Sequence, residues 1–291
     1  MHPAPSVIIF PTLSGLGFGF LAWLGLNGAP PTEWTAFAMF FIACALAVGG
    51  LVSSTVHLGR PERALLAFTQ WRTSWLSREG ICAIAALIVM GLYAAALVFA
   101  GTHVPVLGWI GAALSVLTVF TTSMIYAQLP TIPRWNTMLT PALYLSYSLA
   151  GGTVISGIGR AAVLCLLLTA VVQLLWWSRG DKAFATSGTT MATATGLGTL
   201  GTVRSVAHPH TSPNWLLKEF VFKVGRKHAQ KLRVISLGLM AAVPILLLVA
   251  AGAAPLMVAL AAVSHAAGVA VSRWLFFAEA EHTVGLYYGL R

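Results

Sequence analysis

The chain has 291 residues, of which 58% are hydrophobic and only 8% charged, with a mean hydropathy of +0.84. Soluble globular chains carry about a quarter charged residues. This one lacks the polar surface for a water-soluble fold and reads as a single all-α polytopic membrane domain over residues 1–291. Lys and Arg outnumber Asp and Glu by 17 to 7. The basic residues collect in gaps between apolar runs and line no solvated face, which argues against a nucleic-acid partner.

A membrane crossing takes about 20 residues at roughly 1.5 Å rise. Eight transmembrane helices are predicted in chain order: Val7–Leu26, Thr35–Val56, Gly80–Ala100, Val106–Gln128, Met138–Ile158, Ala161–Trp177, Val234–Gly252 and Pro255–Phe277. The opening MHPAPS has no Lys or Arg, and the first positive residue is Arg60, so the first span reads as retained and not as a cleaved signal. Gly15 and Gly19 give that span a GxxxG face for close helix packing. Trp34, Trp75, Trp176 and Trp177, near the ends of apolar runs, fit interfacial belts. Cys44, Cys82 and Cys165 sit singly inside apolar runs and read as small buried hydrophobes. Iron–sulfur ligation needs four thiolates, so no such cluster is expected in this chain.

Two connections on the side of the N-terminus, side X, exceed what topology requires. Residues 57–79 include an amphipathic stretch around Ala64–Trp71. Residues 178–233 begin with a Thr/Gly/Ala-rich run and continue as WLLKEFVFKVGRKHAQKLR, a predicted amphipathic basic helix with Ser212 as its cap and Pro213 at its first position. In that helix Trp215, Leu216, Phe220 and Val224 recur at helical spacing, with Lys223, Arg226, Lys227 and Lys231 elsewhere around it. It can lie on anionic lipid or dock a soluble partner. Side X carries 16 of the 17 positive charges, and the opposite side, Y, has Arg160 alone. The positive-inside rule therefore predicts that both termini and the long basic loops are cytoplasmic.

Some motifs are decoys. Gly196, Gly198 and Gly201 match GxGxxG, but no βαβ unit accompanies them. Glu279 and His282 form an E-x-x-H pair without the further carboxylates of a di-metal bundle, and read as interfacial and solvated. A haem would need level histidines. His57 ends the second span on side X, His103 lies on side Y and His265 is near mid-depth, so the chain is expected to be haem-free and without metal.

The ionisable residues at one membrane boundary are the functional candidates: His57, Arg60, Glu62, Arg63, Arg72, Arg78 and Glu79. A quinone ring is reached from the lipid, and its two-electron chemistry moves two protons. A histidine can hydrogen-bond a ring oxygen, and a carboxylate at the lipid boundary can relay a proton. Interfacial anchoring with snorkelling arginines is the competing explanation.

These same residues, HLGRPERA from His57 to Ala64 followed by SWLSRE from Ser74 to Glu79, resemble the signature of the dimethyl sulfoxide reductase membrane-anchor family. The opening MHPAPSVIIF and the run Arg226–Arg233 are similar to other landmarks of that family, and the resemblance covers the whole chain. It implies a haem-free anchor binding ubiquinone or menaquinone. Its partners would be a ferredoxin-like subunit with 4Fe–4S clusters and a molybdopterin catalytic subunit. By position it makes His57 and Glu79 the quinone pair, with Arg60, Arg63 and Arg78 around them. Trp71, Arg72 and the basic residues of the second loop become docking candidates. Long loops on the cytoplasmic side make the chain resemble the sulfite-oxidising branch, in which sulfite is oxidised and quinone reduced. The alternatives are an anchor for an S-oxide reductase that oxidises menaquinol, a secondary transporter, and a purely structural anchor.

Overall fold

A computed structural model describes residues 1–55, 60–207, 209–212, 214–221, 227–251 and 254–289, and among these it contains helices and no β-strand. In chain order the elements are α1 (Pro5–Leu26), α2 (Glu33–Thr55), a 3-10 segment (Pro61–Gln70), α3 (Trp75–Phe99), α4 (Pro105–Ala127), α5 (Leu139–Ile155) and α6 (Gly159–Thr186). The short α7 (Met191–Thr195) and α8 (Trp215–Phe220) follow, then α9 (Ala229–Leu237), α10 (Val243–Ala251), α11 (Pro255–Ala278) and a last 3-10 turn (Thr283–Tyr288). Prolines open α1, α4 and α11, where the first-turn N–H has no helical partner to lose. Ser74 caps α3 by accepting from the Ser77 amide.

Among the described residues seven stretches are long and apolar enough to cross a membrane: α1 to α4, α6, the run Ala229–Ala250, and α11. The remaining predicted span forms α5, whose 17 residues make it shorter than any of these. Twelve of its residues are buried, so α5 is wrapped by protein more than by lipid. The predicted loop 178–233 is helical at both ends, because α6 continues to Thr186 and α9 begins at Ala229.

α1 and α5 form the centre of the bundle. Small residues let backbones meet there, the usual device where lipid removes any hydrophobic drive between helices. An added Cβ would collide at Gly17 with Ala47 of α2, at Gly25 with Gly108 of α4, and at Gly19 with the Ser148 carbonyl of α5. Gly152 of α5 abuts the Gly19 backbone in turn. The predicted GxxxG face is thus only half of a contact. A Cβ at Gly15 would meet nothing within 4 Å, and its carbonyl accepts from Ser148 Oγ at 2.6 Å. The outer helices show the reverse pattern. Leu164, Leu168, Val171 and Leu175 of α6 are exposed, as a lipid-facing surface requires, while Ser115, Thr118, Thr169 and Gln173 are buried.

α9 and α10 form one rod interrupted by a π-turn at Gly238–Ala242. Pro244, just beyond it, has no N–H to offer the Met240 carbonyl. That carbonyl accepts from His265 Nδ1 of α11 at 2.8 Å instead. Gly268 lies against the Met240 backbone, and Ser236 and Ser264 bond across the same seam. The termini of the bundle meet at one end: the Met1 ammonium donates to the Phe277 and Ala280 carbonyls, both at 3.1 Å.

Candidate functional site

The segment after α2 is folded back over the start of α3. Ser77 Oγ donates to the Ala67 carbonyl, Arg78 donates to the Trp71 carbonyl at 2.9 Å and the Arg72 carbonyl at 2.7 Å, and Phe68 packs against Gly80. The Arg78 guanidinium also lies 4.3 Å from the Trp75 ring centroid. These contacts give Arg78 a loop-fastening role. Arg60, Arg63, Trp71 and Arg72 are exposed on the outer surface of the same segment, with Leu65 and Leu66 beside them. His57 lies outside the described residues.

Glu79 is brought inward by this arrangement. It is 3% exposed, and its Oε1 accepts from Thr122 Oγ1 of α4 at 2.5 Å. Thr122 Oγ1 also lies 2.9 Å from the Thr118 carbonyl, so that carbonyl and the Glu79 carboxyl share its one proton. A carboxyl so placed, one turn inside the X end of α3, can hold a proton or pass it to a neighbour at the membrane boundary. An open apolar cleft of about 580 Å³ runs along α4 between Leu26 and Phe120. Phe120 and Thr122 point to opposite sides of that helix, so the cleft is not continuous with Glu79.

A second polar group lies deeper, and composition gave no sign of it. Arg273 of α11 is 1% exposed, its guanidinium carbon 3.4 Å from the Tyr144 ring centroid and 4.9 Å from that of Tyr147. Tyr147 Oη, Ser272 Oγ and Gln173 Oε1 form a triangle of close polar contacts, in which two hydroxyl protons serve the three oxygens. The Tyr126 ring stacks on Tyr144 at 5.8 Å. His265 is fully buried, with Nδ1 on the Met240 carbonyl and Nε2 facing the Tyr147 carbonyl at 3.2 Å, so both of its nitrogens are engaged. Among the described residues no group of three His, Cys, Asp or Glu is arranged to hold a metal ion. The three cysteines are free and only partly buried.

At the X end an ion cluster ties four elements together. Arg233 of α9 bridges Asp181 of α6 (2.6 and 2.8 Å) and Glu279 after α11 (2.8 Å). Arg134, between α4 and α5, bonds the same two carboxylates at 2.7 and 3.4 Å. Trp176 and Trp177 form its floor, under Arg134 and Arg233 respectively. This corrects two expectations. Both tryptophans are buried, Trp176 donating to Thr140 Oγ1 at 3.1 Å, and neither belongs to an interfacial belt. Glu279 is also buried and ion-paired, and burial pushes its carboxyl up against the pull of both arginines. Its sequence neighbour His282 accepts from the Val284 amide and faces Phe220, so the two form no solvated pair. Removing one partner from a buried ion cluster leaves charge uncompensated. Arg233→Met is expected to cost about 2 kcal/mol, less than a fully enclosed pair because Asp181 is 44% exposed. Thermal unfolding in detergent, monitored by loss of the soluble monodisperse species, checks this.

The second loop carries the other docking candidates. α8 is a single short turn of helix, and its cap is Asn214, whose Oδ1 accepts from the Leu217 amide at 2.9 Å. The cap was expected two residues earlier, at Ser212. Trp215 is exposed, and Lys227 and Lys231 are exposed at the start of α9. Lys223, Arg226, Val224 and Pro213 lie outside the described residues. Gly196 ends α7 with φ +71°, the left-handed conformation of a helix C-cap, so the GxGxxG match is a loop terminator.

A family model described as DMSO reductase anchor subunit (DmsC) matches residues 6–290. A sulfite dehydrogenase subunit from Allochromatium vinosum is 30% identical over 327 residues, which covers 99% of each chain. No solved structure matches.

Proposed function

From its membership of the DMSO reductase anchor subunit family, to which the chain belongs, we propose that it is the membrane anchor of a molybdopterin and iron–sulfur oxidoreductase complex. In this reading it holds a ferredoxin-like subunit against side X, through the Pro61–Arg72 segment and the exposed residues Trp215, Lys227 and Lys231. Electrons pass between that subunit's 4Fe–4S clusters and a quinone bound at His57 and Glu79. The whole-chain likeness to a sulfite dehydrogenase subunit favours sulfite oxidation with quinone reduction. Sulfite and water then give sulfate, two electrons and two protons, and the electrons and two protons complete the quinol.

The observation that carries the reading is Glu79. A carboxyl buried at a membrane boundary is costly, and such residues mark pathways for ions, protons or substrates. Glu79 is held by one hydroxyl, directly beneath the loop that bears the family signature. A purely structural anchor has no need of it there.

The same reading takes α5 as an eighth crossing. At about 1.5 Å per residue its 17 residues reach about 25 Å, the short end of the spanning range. The Met1 bonds to Phe277 and Ala280 put the start of α1 and the end of α11 at one end of the bundle, which requires an even number of crossings. With the charge bias, both termini and the docking face are then cytoplasmic.

Isolation of the tagged chain from native membranes in mild detergent tests the assembly. Stoichiometric molybdenum and iron in the purified complex, measured by plasma mass spectrometry, are the expected result. A chain that purifies alone and transports solute in vesicles would overturn it.

A further inference from the structure

Arg273 is the most deeply buried charge in the described bundle. It lies five residues from the X end of α11, too far inside and too enclosed to reach the headgroups. Its Nε and Nη1 have no hydrogen-bond partner among the described residues, and neither does Nε2 of nearby Gln173. Donors of this kind left unmatched in a low-dielectric interior cost several kcal/mol each. The two tyrosine faces stabilise the cation but accept nothing from its N–H edges. Buried water meets such needs, typically with about three hydrogen bonds to groups that lack other partners.

We propose that Arg273 and Gln173 bind ordered water inside the bundle, between α5, α6 and α11, and that this water carries protons from Glu79 into the protein interior. The protein between the two points is already polar. Tyr126 of α4 lies one helical turn beyond Thr122, the partner of Glu79, and stacks on Tyr144. Beyond Arg273 the path continues through Tyr147, Ser272 and Gln173. The water site stands on Arg273 and its neighbours alone, whereas its use by Glu79 rests on the quinone reading above.

X-ray hydroxyl-radical footprinting of the intact complex in nanodiscs separates the two. Bound water generates radicals in place, so Tyr144 and Tyr147 are expected to be oxidised at least tenfold faster than Phe18 and Phe20, which are equally buried in an apolar setting. Arg273→Met should abolish the difference, and Arg273→Lys should keep part of it. Equal protection of all four rings in the wild-type complex would overturn the water site without requiring any variant to fold. If the tyrosines label but quinone-coupled turnover and its pH profile are the same in Arg273→Met, Arg273→Lys and wild type, the proton path is overturned while the water site stands.

Discussion

Quinone-coupled turnover is expected to fall by about 10²- to 10⁴-fold when Glu79 is replaced by Gln in the assembled complex, the range typical of a lost acid–base group. Gln keeps the size of the side chain and an oxygen that can accept from Thr122 Oγ1, now 2.5 Å from the carboxylate. The packing of α3 on α4 is preserved, and what disappears is the capacity to carry a proton. Thr122→Val makes the complementary change. The acid remains, but its hydroxyl partner is gone, and a smaller loss follows. His57→Ala is expected to act with Glu79→Gln and not additively, since groups that serve one proton transfer fail together. The measurement is steady-state quinone reduction by the purified complex, with molybdenum and iron content confirming assembly for each variant. Turnover at the wild-type rate in both Glu79→Gln and His57→Ala would remove the assigned site and leave the structural-anchor reading.

Gly19→Val is expected to abolish accumulation of the folded protein. The new side chain would be driven into the Ser148 carbonyl, a backbone atom of a helix that is itself confined by α1, α4, α6 and α11. Neither helix can withdraw without opening contacts on its far side, where Gly17 abuts Ala47 and Gly25 abuts Gly108. Overpacking in an accommodating core costs about 1–3 kcal/mol. A backbone collision at the central crossing exceeds that and approaches the whole stability of a typical domain, about 5–15 kcal/mol. Gly15→Ala is the matched control, four residues away on the same helix with open space at the Cβ position, and it should accumulate normally. Fluorescence-detected size exclusion of tagged variants compares the two. A normal monodisperse peak for Gly19→Val would show that α1 and α5 do not cross there.

Hydropathy made the spans legible because it measures transfer into lipid, and every long helix here satisfies that test over most of its length. The same quantity does not distinguish a residue facing lipid from one facing protein. Trp176 and Trp177 therefore read as an interfacial belt when they are the floor of an ion cluster. Arg273, close to a helix end, counts among the side-X charges when it is enclosed by tyrosines more than 120 positions away in sequence. Glu279 reads as solvated because its partners Arg134 and Arg233 come from distant parts of the chain. The candidate carboxyl Glu79 was legible as an ionisable residue at a span boundary, and its partner Thr122 was not, since nothing local marks one threonine of α4 above the others. Likewise nothing in the sequence links Pro244 to His265. Only the packing of α10 on α11 shows that one frees the carbonyl the other uses.

The ion cluster at the X end also imposes an order on biogenesis. Arg134, Asp181 and Arg233 leave the ribosome well before Glu279, which is the last of the four to be made. Until α11 is in place, two arginines share a single carboxylate, and the nascent bundle carries an excess positive charge at that end. Its cancellation by Glu279 is a closing latch, set only when the final helix has arrived. A chain truncated before Glu279 would keep the charge without the latch, with Asp181 alone between the two arginines.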